Sequence, residues 1–164
     1  MRLLALLTGL FVLTACGSDH PGIKLNSGDP APQFSTVAVD GASVAYPASY
    51  AGKPLVIRFW ADWCKYCAGE MKAIEQVYRR HQDKGLAVVA INAGQDRATI
   101  AAFVHKVGFS YPALLDETSA IAKRYGVVGL PTTYFIDAQG IVRGKIVGEA
   151  DEATFERQAL ALFK

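Results

Sequence analysis

Phe59-Trp60-Ala61-Asp62-Trp63-Cys64-Lys65-Tyr66-Cys67 is the stretch from which the rest of the chain is read. It begins inside Pro54–Trp60 (PLVIRFW), a run that predicts a buried strand. A helix is expected from Cys64 to Lys84, with Gly85 as its stop. The two cysteines therefore stand where a strand ends and a helix begins. A cysteine in a first helical turn points its sulfur at free backbone N–H groups and the positive end of the dipole, which favours the thiolate. A second cysteine three positions on lies almost one turn further along, close enough to close a disulfide. The first sulfur, Cys64, is expected to be the more exposed one and to attack. Cys67 then resolves the mixed disulfide. Lys65, between them, adds a positive charge.

Outward from this junction the pattern alternates. Leu86–Asn92 (LAVVAIN) predicts a second buried strand, and Thr99–Val107 a helix closed by Gly108. Tyr111–Leu115 reads as a short strand and Ser119–Tyr125 as a short helix. Thr132–Ile136 and Ile141–Val147 form a hairpin around Asp137-Ala138-Gln139-Gly140, and Asp151 caps a last helix to Phe163. Upstream, Phe34–Val39 and Ser43–Tyr46 flank Asp40-Gly41 as a small hairpin. The sum is an α/β fold. Its early strands are parallel through right-handed crossovers, and the late hairpin adds an antiparallel edge.

Composition limits the function classes. In 164 residues, 51% are hydrophobic and 20% charged, which excludes a disordered or fibrous chain. A net charge of +2, with no Lys or Arg run longer than two, gives no footprint for nucleic acid. At the N-terminus, Arg2 precedes the apolar run Leu3–Leu13, which has the length of a signal-peptide core and is too short to span a bilayer. Leu13-Thr14-Ala15-Cys16 follows and resembles the lipobox of bacterial lipoproteins. That resemblance implies a signal peptide over residues 1–15, lipid attachment at Cys16, and export to a compartment outside the cytoplasm, facing the periplasm. Residues 16–33 then read as a lipidated start and a flexible Pro- and Gly-rich tether, and residues 34–164 as the domain. With Cys16 lipidated, only Cys64 and Cys67 remain for the domain. Two cysteines so close in an oxidising compartment suggest a redox pair.

FWADWCKYC, followed by Gly129-Leu130-Pro131-Thr132-Thr133, resembles the thioredoxin superfamily, and with the lipobox it resembles the exported, membrane-tethered TlpA/ResA-like branch. The resemblance covers residues 30–163. It implies a thioredoxin fold, with a mixed central sheet flanked by helices and a β-hairpin extension at the N-terminus. It also implies a thiol–disulfide oxidoreductase that reduces disulfides in exported proteins, apocytochromes c among them. Its electron donor would be a membrane thiol–disulfide protein, and it would need no cofactor and no metal. The chain is expected to be a monomer. On this resemblance Pro131 is the cis-proline beside the cysteine pair, and it leaves the Leu130 backbone free to pair with an extended substrate. Glu70 matches a glutamate that handles protons for the buried thiol, and at three residues past Cys67 it faces the same side of the helix. Trp63 belongs to the substrate-facing surface, whereas Trp60 belongs to the core.

Three residues depart from relatives. Lys65-Tyr66 replaces the Gly-Pro of thioredoxin, Lys72 stands where many relatives carry a kinking proline, and Arg58 occupies the position of a buried acid. A buried charge needs a partner, and for Arg58 the choices are Glu70, Asp62 or the surface. Other chemistries find little support. Ala68 after Cys67 excludes a haem-attachment motif, and His20, His81 and His105 have no ligand spacing to the cysteines. No cysteine has the Pro- and Thr-flanked setting of a peroxiredoxin, and Gly126–Gly129 lacks the lysine of a phosphate loop. The alternative to an enzyme is a thiol-based metal carrier using the same pair, although zinc wants four ligands and only two sulfurs are at hand.

Overall fold

The computed structural model describes residues 24–164. The expected signal segment, the lipid site at Cys16 and the first part of the tether lie outside the described residues.

Seven strands and four helices follow in order: β1 (Phe34–Val37), β2 (Ser43–Tyr46), β3 (Leu55–Trp60), α1 (Cys67–His81), β4 (Ala87–Ala93), α2 (Arg97–Val107), β5 (Ala113–Asp116), α3 (Ala120–Arg124), β6 (Thr132–Ile136), β7 (Val142–Val147) and α4 (Glu152–Leu160). β1 and β2 form a separate antiparallel hairpin. The other five strands make one sheet in the order β5-β4-β3-β6-β7. β3, β4 and β5 run parallel, whereas β6 is antiparallel to β3 and β7 to β6. This is the mixed α/β sandwich of the thioredoxin fold, with the N-terminal hairpin in place.

β3 is buried at all six positions, because it lies mid-sheet with elements on both faces. Val56 and Trp60 point toward α1, α2 and α4, and pack with Met71, Ile74, Phe103 and Phe155. Leu55, Ile57 and Phe59 point the other way, toward α3 and the hairpin, where Phe34, Tyr46, Tyr125 and Tyr134 meet them. Each such aliphatic side chain contributes about 1.5–3 kcal/mol on burial. The two crossovers β3-α1-β4 and β4-α2-β5 step in one direction across the sheet. Being right-handed, both place their helices on the same face. α4 joins α1 there, held in part by His81 Nε2 and Glu156 Oε1 at 2.7 Å.

Several boundaries differ from the sequence reading. α1 begins at Cys67 rather than Cys64 and ends at His81, and a short 3-10 turn carries the chain to Gly85, where φ is 98°. Residues 24–33, expected as part of the tether, lie on the domain. Leu25 and Ala31 are buried, and the N–H groups of Gly28 and Ala31 donate to the carbonyls of Val142 and Gly140. Pro and Gly exclude helix here but not an extended segment laid against the start of β7. Pro131 follows a cis bond, as does Pro47, which the sequence reading did not single out.

The β6–β7 turn, which this segment covers, is organised by Asp137. Its carboxylate accepts from the N–H groups of Gln139 (3.0 Å) and Ile141 (2.9 Å) and from Arg143 Nε (2.6 Å). Burial pushes this carboxyl up, but those donors outweigh it and hold the group below its ordinary value. Asp137→Ala is expected to lower stability by about 1–2 kcal/mol in urea unfolding at neutral pH. The carboxylate's contribution is complete above about pH 4, the unfolded value, and is lost as pH falls through the lower folded value. The gap between the two proteins should therefore narrow below about pH 3; a gap that widens with acid would contradict the assignment.

Candidate active site at the end of the central strand

The site is assembled from what leaves the sheet at the C-terminal end of β3. After Trp60 and Ala61, both fully buried, the chain makes two tight turns. Cys64 N–H donates to the Ala61 carbonyl at 3.2 Å, and Cys67 N–H to the Cys64 carbonyl at 3.1 Å. These turns occupy the positions expected for the first helical turn, so Cys64 precedes α1 and Cys67 is its first residue. The two are joined in a disulfide with Cα atoms 5.4 Å apart. Cys64 is 6% exposed and Cys67 is 0%. Trp63 stands out at 70% exposed beside them, and Trp60 is sealed in the core against Phe103, with ring centroids 4.4 Å apart.

A second loop braces the cysteine segment. Gln95, just after β4, accepts from Asp62 N–H and from Asn92 Nδ2, both at 2.8 Å, and donates through Nε2 to Asp62 Oδ1 at 2.5 Å. Gly94 makes this loop possible: its φ is +90°, and a Cβ there would lie 3.0 Å from Ser119 Oγ. The sequence reading missed Asn92 and Gln95. Their only signal is a polar pair at the end of an apolar strand, level with Trp60 in the parallel register.

Pro131 reaches the same end of the sheet from the other side. In the β3–β6 ladder Phe59 pairs with Thr132, so the cis Leu130–Pro131 bond falls beside the exit of β3. Leu130 lies just outside the ladder and packs against both hydrophobic clusters, one of which contains Cys64 and Cys67. The structure thus brings together Trp63, Cys64, Cys67, Leu130 and Pro131. Cys16 lies outside the described residues.

Beneath the first turn of α1 lies the buried charge. Arg58 shares the face of Val56 and Trp60, its side chain is 1% exposed, and it forms an ion pair with Glu70. It also donates to Thr133 Oγ1 at 2.7 Å. Burial draws the guanidinium down from its usual value, and the Glu70 charge opposes that. Glu70 uses its other oxygen to accept from Ala150 N–H at 2.7 Å. Of the three choices for Arg58, the partner is Glu70; Asp62 lies on the outer loop and is engaged by Gln95. Lys72, in place of a proline, lets α1 run unbroken from Cys67 to His81. Among the described residues, no three His, Cys, Asp or Glu side chains gather into a metal-binding group.

Two sulfurs that close a disulfide, one bordering an open groove and one wholly enclosed beneath it, suit stepwise thiol–disulfide exchange. Carried on this sheet, they define the class of thioredoxin-fold thiol–disulfide oxidoreductases. Comparison with known proteins agrees. Residues 27–145 match the AhpC/TSA family, and the chain belongs to it. The thiol-disulfide oxidoreductase ResA of Bacillus thuringiensis subsp. konkukian is 31% identical over 133 residues, 81% of this chain and 76% of that protein. The thioredoxin-like protein YneN of Bacillus subtilis is 32% identical over 139 residues, 83% of this chain and 80% of that protein. Among solved structures, a thiol:disulfide interchange protein of the thioredoxin family from Chlorobium tepidum superposes with a TM-score of 0.75 at 31% identity. The match covers 87% of this chain and all of that one.

The Arg58–Glu70 pair makes a stability prediction. Arg58→Met strands a buried carboxylate and should cost about 3 kcal/mol in urea unfolding. Adding Glu70→Gln removes the stranded charge and should restore much of the loss. If the double variant is as unstable as the sum of the two single ones, the pair is not coupled as described.

Proposed function

We propose that this oxidoreductase works as a reductase of disulfides in exported proteins, with Cys64 as the attacking thiol and Cys67 as the resolving one. The observation that carries this reading is that Cys64 lines an open groove whereas Cys67 is wholly enclosed. A client disulfide can reach Cys64, whereas Cys67 has no route to anything but Cys64. In the reduced protein, the Cys64 thiolate attacks one client sulfur. The client S–S bond breaks and its other sulfur leaves as a thiol, taking up a proton. Cys67 then loses its proton, attacks Cys64, and releases the second client thiol. Two electrons have moved from the pair to the client, and the Cys64–Cys67 disulfide is restored. In this reading Trp63 supplies an apolar contact for the client. The backbone of Leu130, held by Pro131, pairs with the client's extended chain.

The setting belongs to the same proposal. The lipobox pattern supports attachment through Cys16 to a membrane, facing the periplasm or its equivalent; the proposal adds a membrane thiol–disulfide protein as electron donor and a chain that acts as a monomer. The resemblance to the exported TlpA/ResA-like branch supports apocytochromes c as the narrower client class. Glu70 is assigned an electrostatic role. A carboxylate one turn from Cys67 opposes a second negative charge on that sulfur, and it is fixed there by Arg58 and Ala150.

Three measurements test this. Iodoacetamide should label Cys64 of the reduced protein well before Cys67 near pH 7; equal or reversed rates would contradict the assigned order. Cys67→Ala, expressed in its own host with the N-terminal segment intact, should accumulate covalent adducts that dissolve on reduction. Apocytochromes c among them would support the narrower client class, and a broad set of exported cysteine proteins would support a general one. Absence of adducts would sink the reductase reading. Glu70→Gln should shift the pH profile of insulin reduction to lower pH, because removing the anion eases formation of the Cys67 thiolate. An unchanged profile would leave Glu70 as a structural partner of Arg58 alone.

A further inference from the structure

Beside Cys64 lies a groove of about 550 Å³, formed between the cysteine segment and α2. It is on the opposite flank from Pro131. The prolyl turn lies toward β6, whereas α2 crosses over the β4 side of the sheet. Trp63, Phe103 and Ala102 give it apolar walls. Its charged groups are Lys65, Lys106 and Asp62. The Asp62 carboxylate is turned to Gln95 Nε2 at 2.5 Å, so it is spoken for within the bracing loop. Lys65 Nζ lies over the Tyr66 ring, 5.1 Å from its centroid, and Lys106 comes from the last turn of α2. Both lysines are exposed and neither forms an ion pair among the described residues. The cleft that opens onto the reactive sulfur thus combines aromatic walls with two lysines, one of which now rests its ammonium on Tyr66 at the rim, and one committed carboxylate.

We infer that this groove reads the chain flanking the client's cysteine, and that it selects an acidic side chain within two or three residues of that cysteine. The inference rests on the proposed reductase role and names the class of segment that role serves. A client cysteine seated on Cys64 has the prolyl turn on one flank and this groove on the other, within reach of its neighbouring residues. A Glu side chain suits the groove in both parts: its methylenes lie along Phe103 and Trp63, and its carboxylate meets the lysines. A Lys side chain at the same place brings like charges together. The groups are at the surface, so the preference is of the moderate size that surface charges give, and it acts mainly on association.

The test uses two synthetic peptide disulfides, each a symmetric dimer of a short segment with a central cysteine. They are alike except for Glu or Lys at the second and third positions after the cysteine. Oxidation of the reduced protein by each gives a rate constant, and the ratio of the two on one protein cancels any change in Cys64 reactivity. The Glu peptide should react about five- to tenfold faster at low ionic strength, and the ratio should fall toward one at about 1 M salt. Lys106→Glu should lower the ratio, Lys65→Glu/Lys106→Glu should invert it, and Lys106→Arg should keep it. Lys84→Glu, in the 3-10 turn beyond the far end of α1, should leave it in place. Equal rates for the two peptides overturn the inference. So does a ratio that Lys84→Glu moves as much as Lys106→Glu, which would assign the effect to net charge. Neutral hydroxyethyl disulfide separates the two levels. If it oxidises the protein while the peptides are not distinguished, only the groove reading fails; if it does not react, the exchange chemistry fails and takes this inference with it.

Discussion

A guanidinium that water cannot reach must be neutralised where it stands, and much of the active end of this protein is arranged around that requirement. Arg58 sits mid-way along the central strand on the face covered by α1. Its partner Glu70 lies in the first turn of that helix, so the ion pair holds the turn carrying Cys67 against β3. The same carboxylate accepts from Ala150, just before α4, and the same guanidinium donates to Thr133 on β6. Four pieces of backbone meet at one pair of charges. Such pairs add little net stability compared with apolar packing, yet they tolerate few alternative arrangements, because an unmatched buried charge is expensive. The consequence for function is positional: the buried sulfur and the strand that follows the prolyl turn are tied to a common point.

The division of labour proposed for the two cysteines follows from the sheet. β3 is buried on both faces, so whatever follows it emerges from the core. The two tight turns after Ala61 carry the chain out to Trp63 and Cys64, and α1 takes it straight back in at Cys67. The difference in access between the two sulfurs is thus set by a change of direction, which leaves Cys64 at the groove and Cys67 enclosed. On one flank, the β3–β6 register delivers Leu130 and Pro131. On the other, the loop after β4 braces Asp62 through Gln95. Exchange chemistry needs one sulfur open to partners and one reserved for release, and this geometry provides both.

Much of this was legible in the sequence, where the information is local. A buried strand followed by two cysteines at helical spacing needs no distant residue to be recognised, and neither do the glycine stops at Gly85 and Gly108 or the Asp151 cap. What depends on distant residues was not legible. The partner of Arg58 could be chosen only once strand alternation had turned it under α1 and Gln95 had engaged Asp62. The start of α1 was misplaced because turns and a first helical turn share the same residue preferences. Asn92 and Gln95 gave no signal, since polar residues at a strand end are usually loop. Residues 24–33 misled for a related reason: Pro and Gly mark what a segment cannot be, and an extended chain laid on a hairpin satisfies them as well as a free tether does.

That last segment bears on how far the enzyme could work from a membrane. Gly28 and Ala31 are fastened to the β6–β7 hairpin and Leu25 is buried, so the folded domain reaches back at least to Leu25. With an anchor at Cys16, as proposed, Leu25 would stand nine residues from the lipid, and nine residues span about 30 Å at most. That is roughly one domain diameter, so a domain held this way would stay within a thin layer above the bilayer surface. Clients would have to arrive in that layer, as segments still emerging from the membrane or held beside it, and the concentration that mattered would be the one at the surface.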